Sequence, residues 1–143
     1  MKITQISIFL ENRKGRLSDV CSLLGDHGVN IRALTIAETE SFGVLRIVVD
    51  KSEAAIQLLR EHHFVANFTD VVALEVPDQP GGLASILKIL AENDVNIEYM
   101  YGFVEKFSDK ALLVMRFEDP DFAQQILAKH NIRVVAEKDI EGL

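Results

Sequence analysis

The chain has 143 residues, 48% of them hydrophobic and 26% charged, so it can bury a core and is not a disordered tail. Its formal net charge of −7 opposes nucleic-acid binding as the main activity, because that activity needs a cationic surface. Its single cysteine excludes a disulfide framework, and no apolar run approaches the ~18 residues that span a bilayer. The chain starts with a strand pattern rather than a signal peptide, so we expect a soluble, cytoplasmic protein without membrane contacts.

The first half of the chain reads as six alternating elements. Residues 3–10 are rich in β-branched side chains, as is typical of a strand. Apolar residues then recur at the spacing of a one-faced helix, at Leu17, Val20, Cys21 and Leu24. Gly28 stands where this helix should end. The remaining predicted elements are a hairpin, a second helix and a closing strand, at 31–37 with 44–49, 55–59 and 64–68.

The second half repeats the first. The segment that starts at Gly15 recurs at Gly81, 66 residues later, whereas Leu59 matches Leu127 at a spacing of 68. The second copy therefore carries two extra residues, which we place in the loop at 103–110, where an insertion is tolerated. No Pro/Gly/Ser-rich linker separates the copies. We predict two domains, 1–68 and 69–143.

The second copy has matching elements in the same order. Asp94 takes the place of Gly28 at the end of its first helix, and Asp119-Pro120 is a typical start for its second helix. Its strands are predicted at 71–76, 97–104, 111–117 and 132–136. The order β-α-β-β-α-β, found twice, predicts an α+β protein of two tandem ferredoxin-like domains. Each would have an antiparallel sheet with both helices on one face. The open sheet edges and faces favour pairing between copies and between chains.

The turn from the first strand into the first helix is the most informative segment of each copy. It covers 12–17 in the first copy and 78–83 in the second, with Gly15 and Gly81 at the helix entrance. A glycine there allows close backbone approach, and the first helical turn offers unpaired N–H groups that suit a carboxylate. The alternative is an ordinary turn without a ligand.

A Val-Asn-Ile segment lies at the start of the second strand in both copies. Asn30 and Asn96 each carry a donor and an acceptor on one short side chain, so each could hold the head group of a free amino acid. The alternative is a turn residue that tolerates left-handed backbone. The recurrence of glycine and asparagine in both copies favours a binding role.

The second copy carries the pattern D-x-P-G-x-L-x-x-I-x-x-x-L-x-x-x-x-V-N-I between Asp78 and Ile97. This pattern resembles the signature of the ACT domain, a small regulatory module of amino-acid metabolism. The first copy departs from it, because Asn12 and Lys14 stand where Asp and Pro are usual. The resemblance covers essentially the whole chain as a tandem ACT pair.

The resemblance implies a non-catalytic regulatory protein that binds a free amino acid, or a similar small metabolite, between ACT domains. The loop of one domain would face the second strand of its neighbour. A homodimer and a regulated enzyme partner, which the sequence does not identify, are also implied. The residues that the resemblance assigns to the ligand are Asn12, Arg13, Lys14, Gly15, Arg16, Leu17, Asn30, Ile31, Asp78, Gln79, Pro80, Gly81, Gly82, Leu83, Asn96 and Ile97.

Two interpretations of these residues stay open. The cations Arg13, Lys14 and Arg16 could favour an acidic ligand, or they could be a solvated charge run. Asp78 could accept from an ammonium group, or it could cap the following helix. Two other functions stay open as well: a ligand-free dimerisation module, and, remotely, an acylphosphatase-like enzyme that would use Arg13 or Arg16 with Asn30.

No other chemistry stands out in the sequence. His62 and His130 occupy equivalent positions in the two copies, which indicates a structural place, and no histidine pair has the spacing of a helical metal site. Cys21 lies on an apolar helix stripe without a flanking histidine, as expected of an inert thiol. Phosphate-binding and dinucleotide-binding glycine motifs are absent, so we expect no cofactor and no metal.

Overall fold

In the computed structural model, the structure describes residues 1–39, 41–105 and 109–143, which divide into two compact units. The first unit is Thr4–Thr69, and the second comprises Met1–Ile3 and Asp70–Leu143. The division falls inside one strand, β4 (Val65–Val76). The predicted domain limits, 1–68 and 69–143, stay a prediction.

The first unit has two helices on one side of an antiparallel sheet. Its strands run in the order Ile31–Glu38 (β2), Phe42–Val49 (β3) and Ile3–Glu11 (β1). Its core contains alternate strand residues, such as Ile8 and Ile47, together with Leu24 and Leu59 from the two helices. Because alternate strand residues share a face, both helices must cover the same face of the sheet. The elements are β1 (Ile3–Glu11), α1 (Arg16–Asp26), β2 (Ile31–Glu38), β3 (Phe42–Val49), α2 (Ser52–Glu61) and the first part of β4 (Val65–Val76).

The second unit repeats this arrangement, with its strands in the order Ile97–Gly102 (β5), Ala111–Phe117 (β6), β4 and Val134–Val135 (β7). Leu74 and Met115 from the strands pack against Leu90 and Leu127 from the helices. The remaining elements are α3 (Gly82–Glu92), β5 (Ile97–Gly102), β6 (Ala111–Phe117), α4 (Pro120–Lys129), β7 (Val134–Val135) and α5 (Glu137–Glu141). The prediction of two ferredoxin-like α+β domains is confirmed.

The predicted helix starts and ends are found where the sequence signals place them. The Asp119 side chain accepts a hydrogen bond of 3.1 Å from the backbone N–H of Phe122 at the start of α4. In α1 to α4, the residue after the C-cap has positive φ, and the next residue donates its N–H to a carbonyl in the last helical turn. These positive-φ residues are Gly28, His63, Asp94 and Asn131.

Some predicted boundaries are wrong. The strands predicted at 64–68 and 71–76 are one strand, β4, because the polar pair Thr69-Asp70 does not interrupt the extended backbone. The last predicted strand, 132–136, is reduced to Val134–Val135, and α5 was not predicted. The strand pairing follows the sequence repeat. Leu10 pairs with Gly43 in the first unit, and the equivalent residues Val76 and Ala111 pair in the second. The loop predicted to hold the two extra residues includes 106–108, which lie outside the described residues.

Candidate functional site

Both helix-entrance glycines adopt a left-handed backbone. Gly15 has φ 88° and Gly81 has φ 82°, and each is the N-cap of its helix without a side-chain cap hydrogen bond. A Cβ at either position would have no heavy atom within 4 Å. Only the backbone angle therefore requires glycine here. The N–H groups of Arg16 and Gly82, the first residues of the two helices, donate to the Arg13 and Gln79 carbonyl oxygens. Without a capping side chain, the following N–H groups of the first turn stay available to solvent or to an anion.

In the first unit, the loop after β1 borders a small cleft of about 130 Å³. Four of the predicted ligand residues line it: Asn12, Arg13, Arg16 and Leu17. Lys14 and Gly15 belong to the same loop but not to the lining. The other lining residues come from β1, β2 and β3: Leu10, Glu11, Ile36, Glu38 and Gly43.

Two of the three loop cations have acidic neighbours. Arg13 Nε lies 3.4 Å from a Glu11 carboxylate oxygen, and Arg16 Nη1 lies 3.6 Å from an Asp19 oxygen. The Arg16 guanidinium also stacks on the Phe64 ring at 4.4 Å from its centroid. The local positive charge is therefore smaller than the run of three cations suggests, which weakens the case for an acidic ligand.

In the second unit, the loop Pro77–Gly81 lies between two clefts. The larger, of about 410 Å³, is lined by predicted residues Asp78, Gln79, Pro80 and Leu83, with Val76, Pro77, Ala111 and Leu113. The smaller, of about 190 Å³, includes Gln79 and Gly82 in its lining together with Glu75; we call it the Glu75 cleft. A Cβ on Gly82 would collide with the Pro77 carbonyl oxygen, so the loop folds tightly onto the start of α3.

Each of the two asparagines precedes the first strand of a hairpin and lies beside an acidic residue that follows the second strand of the same hairpin. The backbone N–H of Asn30 donates to Asp50 Oδ1 at 2.9 Å, and Asn96 Nδ2 donates to Glu118 Oε2 at 3.1 Å. Asn96 and Glu118 also line a shallow cleft of about 120 Å³. These bonds join the start of one hairpin strand to the end of the other, which is a structural role in both copies.

Within one unit, the loop and the asparagine lie at opposite ends of the sheet. In the first unit, Gly43 lines the loop cleft, whereas Val49 pairs with Ile31, the residue after Asn30. Gly43 and Val49 are six residue steps apart along β3, a distance of about 20 Å at ~3.4 Å per step. In the second unit, Ala111 lines the loop cleft at one end of β6, and Phe117 pairs with Ile97, the residue after Asn96, at the other end. No single unit brings its own loop and asparagine together, so a shared site needs two domains.

The second unit also contains a charged cluster that was not predicted from the sequence. Glu75 is only 7% exposed, and its Oε1 accepts a 2.8 Å hydrogen bond from Arg133 Nη1. Its Oε2 lies 3.9 Å from Lys110 Nζ. The available signal was a single acidic residue inside the apolar strand run 71–76. Its partners are distant in sequence, and only the sheet pairing brings them to it.

The cysteine and the equivalent histidines of the two copies show no sign of a reactive or metal-binding role. Burial raises the pKa of the Cys21 thiol above its ordinary value, which lowers its reactivity. The ring Nδ1 atoms of His62 and His130 lie 3.0 and 2.9 Å from carbonyl oxygens one helical turn earlier, an equivalent structural place in both copies. Within the described ranges, no three His, Cys, Asp or Glu side chains are grouped to hold a metal ion. In that same part of the chain, every helix is too short or too polar to cross a membrane.

The family model for the ACT domain pair matches residues 1–143. The chain belongs to the ACT domain pair family. This ACT pair is similar over its whole length to the crystal structure of a protein from Bacteroides thetaiotaomicron, with 38% identity, 98% coverage of that chain and a TM-score of 0.93. It shares its fold with the ligand-free regulatory subunit of aspartate kinase from Thermus thermophilus, at 16% identity, 88% and 90% coverage of the two chains and a TM-score of 0.62.

A further relative is the acetolactate synthase small subunit of Buchnera aphidicola subsp. Baizongia pistaciae (strain Bp). It is 41% identical to the ACT pair over 49 residues, which are 34% of this chain. The match spans 31%, or about a third, of the length of that subunit. The resemblance to ACT domains predicted from the sequence is thus confirmed for the family and the fold.

Proposed function

We propose that this ACT pair is a non-catalytic regulatory protein that binds a free amino acid between two ACT domains. The observation that carries the proposal is the duplicated helix entrance. Each copy starts its first helix at a left-handed glycine without a side-chain cap, beside a cleft lined by the same loop. Two of its similar proteins, the aspartate kinase regulatory subunit and the acetolactate synthase small subunit, are by name subunits of enzymes.

In the proposed site, the ligand carboxylate meets the N–H groups at a helix entrance, and the ammonium meets an asparagine carbonyl from the neighbouring domain. Asp78, on the loop of the second unit, supplies a negative charge for the same ammonium. The ligand side chain would contact the apolar wall made by Leu83 and Leu113. The second copy has the larger loop cleft, so we assign it the larger amino acid.

Regulation then follows from linkage. A ligand that binds one packing of the domains more tightly than another shifts the population toward it, and a partner enzyme recognises the favoured packing. Coupling free energies of about 1–3 kcal/mol are typical of such effects. We propose that the protein acts in the cytoplasm as a homodimer. Leu34 and Ile36 are exposed apolar residues on β2, which is an edge strand of its sheet. The second chain of the homodimer would cover them.

The test is a thermal-shift panel of the twenty amino acids, because a ligand that binds only the folded state raises the melting temperature. The ligand identified is then titrated calorimetrically into wild-type protein and Asn96→Ala. We expect Asn96→Ala to weaken binding about tenfold, the loss of one hydrogen bond to a charged group. Asn93→Ala, which removes a side chain bonded to the Ile89 carbonyl in the same unit, is the control and should bind as wild type. An unchanged affinity in Asn96→Ala would contradict the interface site.

A ligand-free dimerisation module is the second candidate, favoured by the same exposed residues on β2. A dimer that binds none of the twenty amino acids would support it over the sensor. The acylphosphatase-like alternative gains nothing from the geometry. Its arginines are at the loop end of the first unit, whereas Asn30 is at the opposite end of the sheet, about 20 Å away at ~3.4 Å per strand residue.

A further inference from the structure

The Glu75 cleft contains a charged triad that spans three adjacent strand positions. Glu75 lies on β4, and its backbone N–H donates to the Arg133 carbonyl oxygen at 3.0 Å, just before β7. Lys110 directly precedes β6, the strand that pairs with β4 on its other side. The Glu75 carboxylate thus lies between two cations, one beside each of the two strands that flank β4. Glu75 is nearly buried, whereas both cations are about half exposed.

The fold does not require this triad, because the first copy replaces all three charges. The equivalent positions are Phe9, Phe42 and Val65, which are 49%, 58% and 60% exposed. The same sheet positions therefore accept apolar side chains in one unit and a buried carboxylate in the other. Burying a carboxylate is unfavourable unless it is paired, and the pairing of Glu75 with Arg133 and Lys110 compensates its burial in the second unit. The first copy shows that the fold forms without this compensated charge.

The surroundings of the triad form a complete small-molecule cleft within a single unit. Polar groups come from Gln79, Ser85 and Asn131, and the apolar part of the wall from Pro77, Ile86 and Ile132. Its volume of about 190 Å³ is small, so it suits a metabolite rather than a large cofactor. In contrast to the interface site, this cleft needs no residue from a neighbouring domain.

The charged side chains of the Glu75 cleft indicate which kind of ligand it can bind. Glu75 Oε2 is 3.9 Å from Lys110 Nζ, too long for a hydrogen bond, so it can accept one from a ligand ammonium. Arg133 is shared between Glu75 and Asp139, whose Oδ2 lies 4.0 Å from Arg133 Nη2, so Lys110 is the main attraction for a ligand carboxylate. Glu75 repels a ligand that is only an anion. A molecule with both charges close together complements all three groups. We propose that the Glu75 cleft is an additional binding site for a free α-amino acid with a small apolar side chain; this inference rests on the proposed amino-acid-binding function.

The experiment locates binding by NMR on protein with labelled Ile and Leu methyl groups. The amino acids are titrated one at a time into wild-type protein. Ile86 and Ile132 report on the Glu75 cleft, and Leu83 and Ile97 report on the loop and asparagine of the interface site. We expect saturable shift changes at Ile86 and Ile132. The variants Glu75→Gln and Lys110→Gln should each weaken the binding seen at these methyls about tenfold or more, as charged hydrogen bonds or ion contacts are lost.

The control is Glu98→Gln, which removes a carboxylate paired with Arg116 at 3.4 Å on the same sheet but outside the cleft. It should bind as wild type. Shift changes confined to Leu83 and Ile97 would overturn the Glu75 site and leave the proposed function standing. Shift changes at Ile86 and Ile132 that Glu75→Gln and Lys110→Gln both leave unaltered would also overturn it. No shift changes with any amino acid would overturn both proposals, and the wild-type titration decides this even where Glu75→Gln fails to fold.

Discussion

Replacing Gly81 with alanine isolates the free energy of a left-handed helix entrance. Gly81 has φ 82°, and a Cβ there would meet no heavy atom within 4 Å. The substitution therefore introduces no clash, and the whole effect comes from the backbone. A left-handed conformation costs an L-residue about 1–2 kcal/mol relative to glycine. We expect Gly81→Ala to lower the free energy of unfolding by that amount.

The assay is thermal and urea unfolding followed by circular dichroism. For a chain of this size, about 2–4 °C of melting temperature corresponds to 1 kcal/mol, so the expected decrease is roughly 2–8 °C. Gly81→Asn should lose about half as much, because asparagine tolerates the left-handed region.

Gly25 provides the matched control. It lies in the last turn of α1, its φ is not positive, and a Cβ there also meets no heavy atom within 4 Å. Gly25→Ala should therefore raise the free energy of unfolding by about 0.5–1 kcal/mol. Equal effects of Gly25→Ala and Gly81→Ala, or a Gly81→Ala variant as stable as wild type, would refute the reasoning.

Three further predictions concern stability and reactivity. Gly82→Ala should lower the free energy of unfolding by about 1–3 kcal/mol in urea titrations, because the new methyl group meets the Pro77 carbonyl; wild-type stability would show that the loop moves freely. Asp119→Ala should lose about 1 kcal/mol with the cap of α4, whereas Asp119→Asn should retain most of it. Alkylation of Cys21 should require a higher pH than alkylation of a free cysteine, since burial raises its pKa. The free energy of unfolding should fall as pH rises above the ordinary thiol pKa, because only the unfolded chain ionises there, and Cys21→Ala should remove that dependence.

The fold could be predicted from local signals in the sequence, of which the helix-entrance glycines occur in both copies and the Asp119 cap only in the second. The left-handed Gly15 and Gly81 and the capping Asp119 each act through the backbone of neighbouring residues, so their effect is readable from sequence alone. The strand β4 was predicted as two, because Thr69 and Asp70 are polar. Polarity indicates exposure, but it does not by itself end an extended backbone.

The candidate site was less predictable because it depends on contacts distant in sequence. The hydrogen bond between Glu75 and Arg133 joins residues 58 positions apart. The separation of the loop from Asn30 follows from topology, since a helix returns the chain to the opposite end of the sheet before β2 begins. The cleft volumes depend on side-chain packing, which no periodicity encodes.

The shared geometry of the helix ends has a consequence for engineering. Helices α1 to α4 all finish with the same left-handed step, yet only the first uses the residue type that adopts it without strain. His63, Asp94 and Asn131 hold that backbone against their own preference. Glycine at these three exposed positions should therefore raise the stability of the protein without any change to its core. His63 is the best position to replace first, because it lies outside both proposed ligand sites.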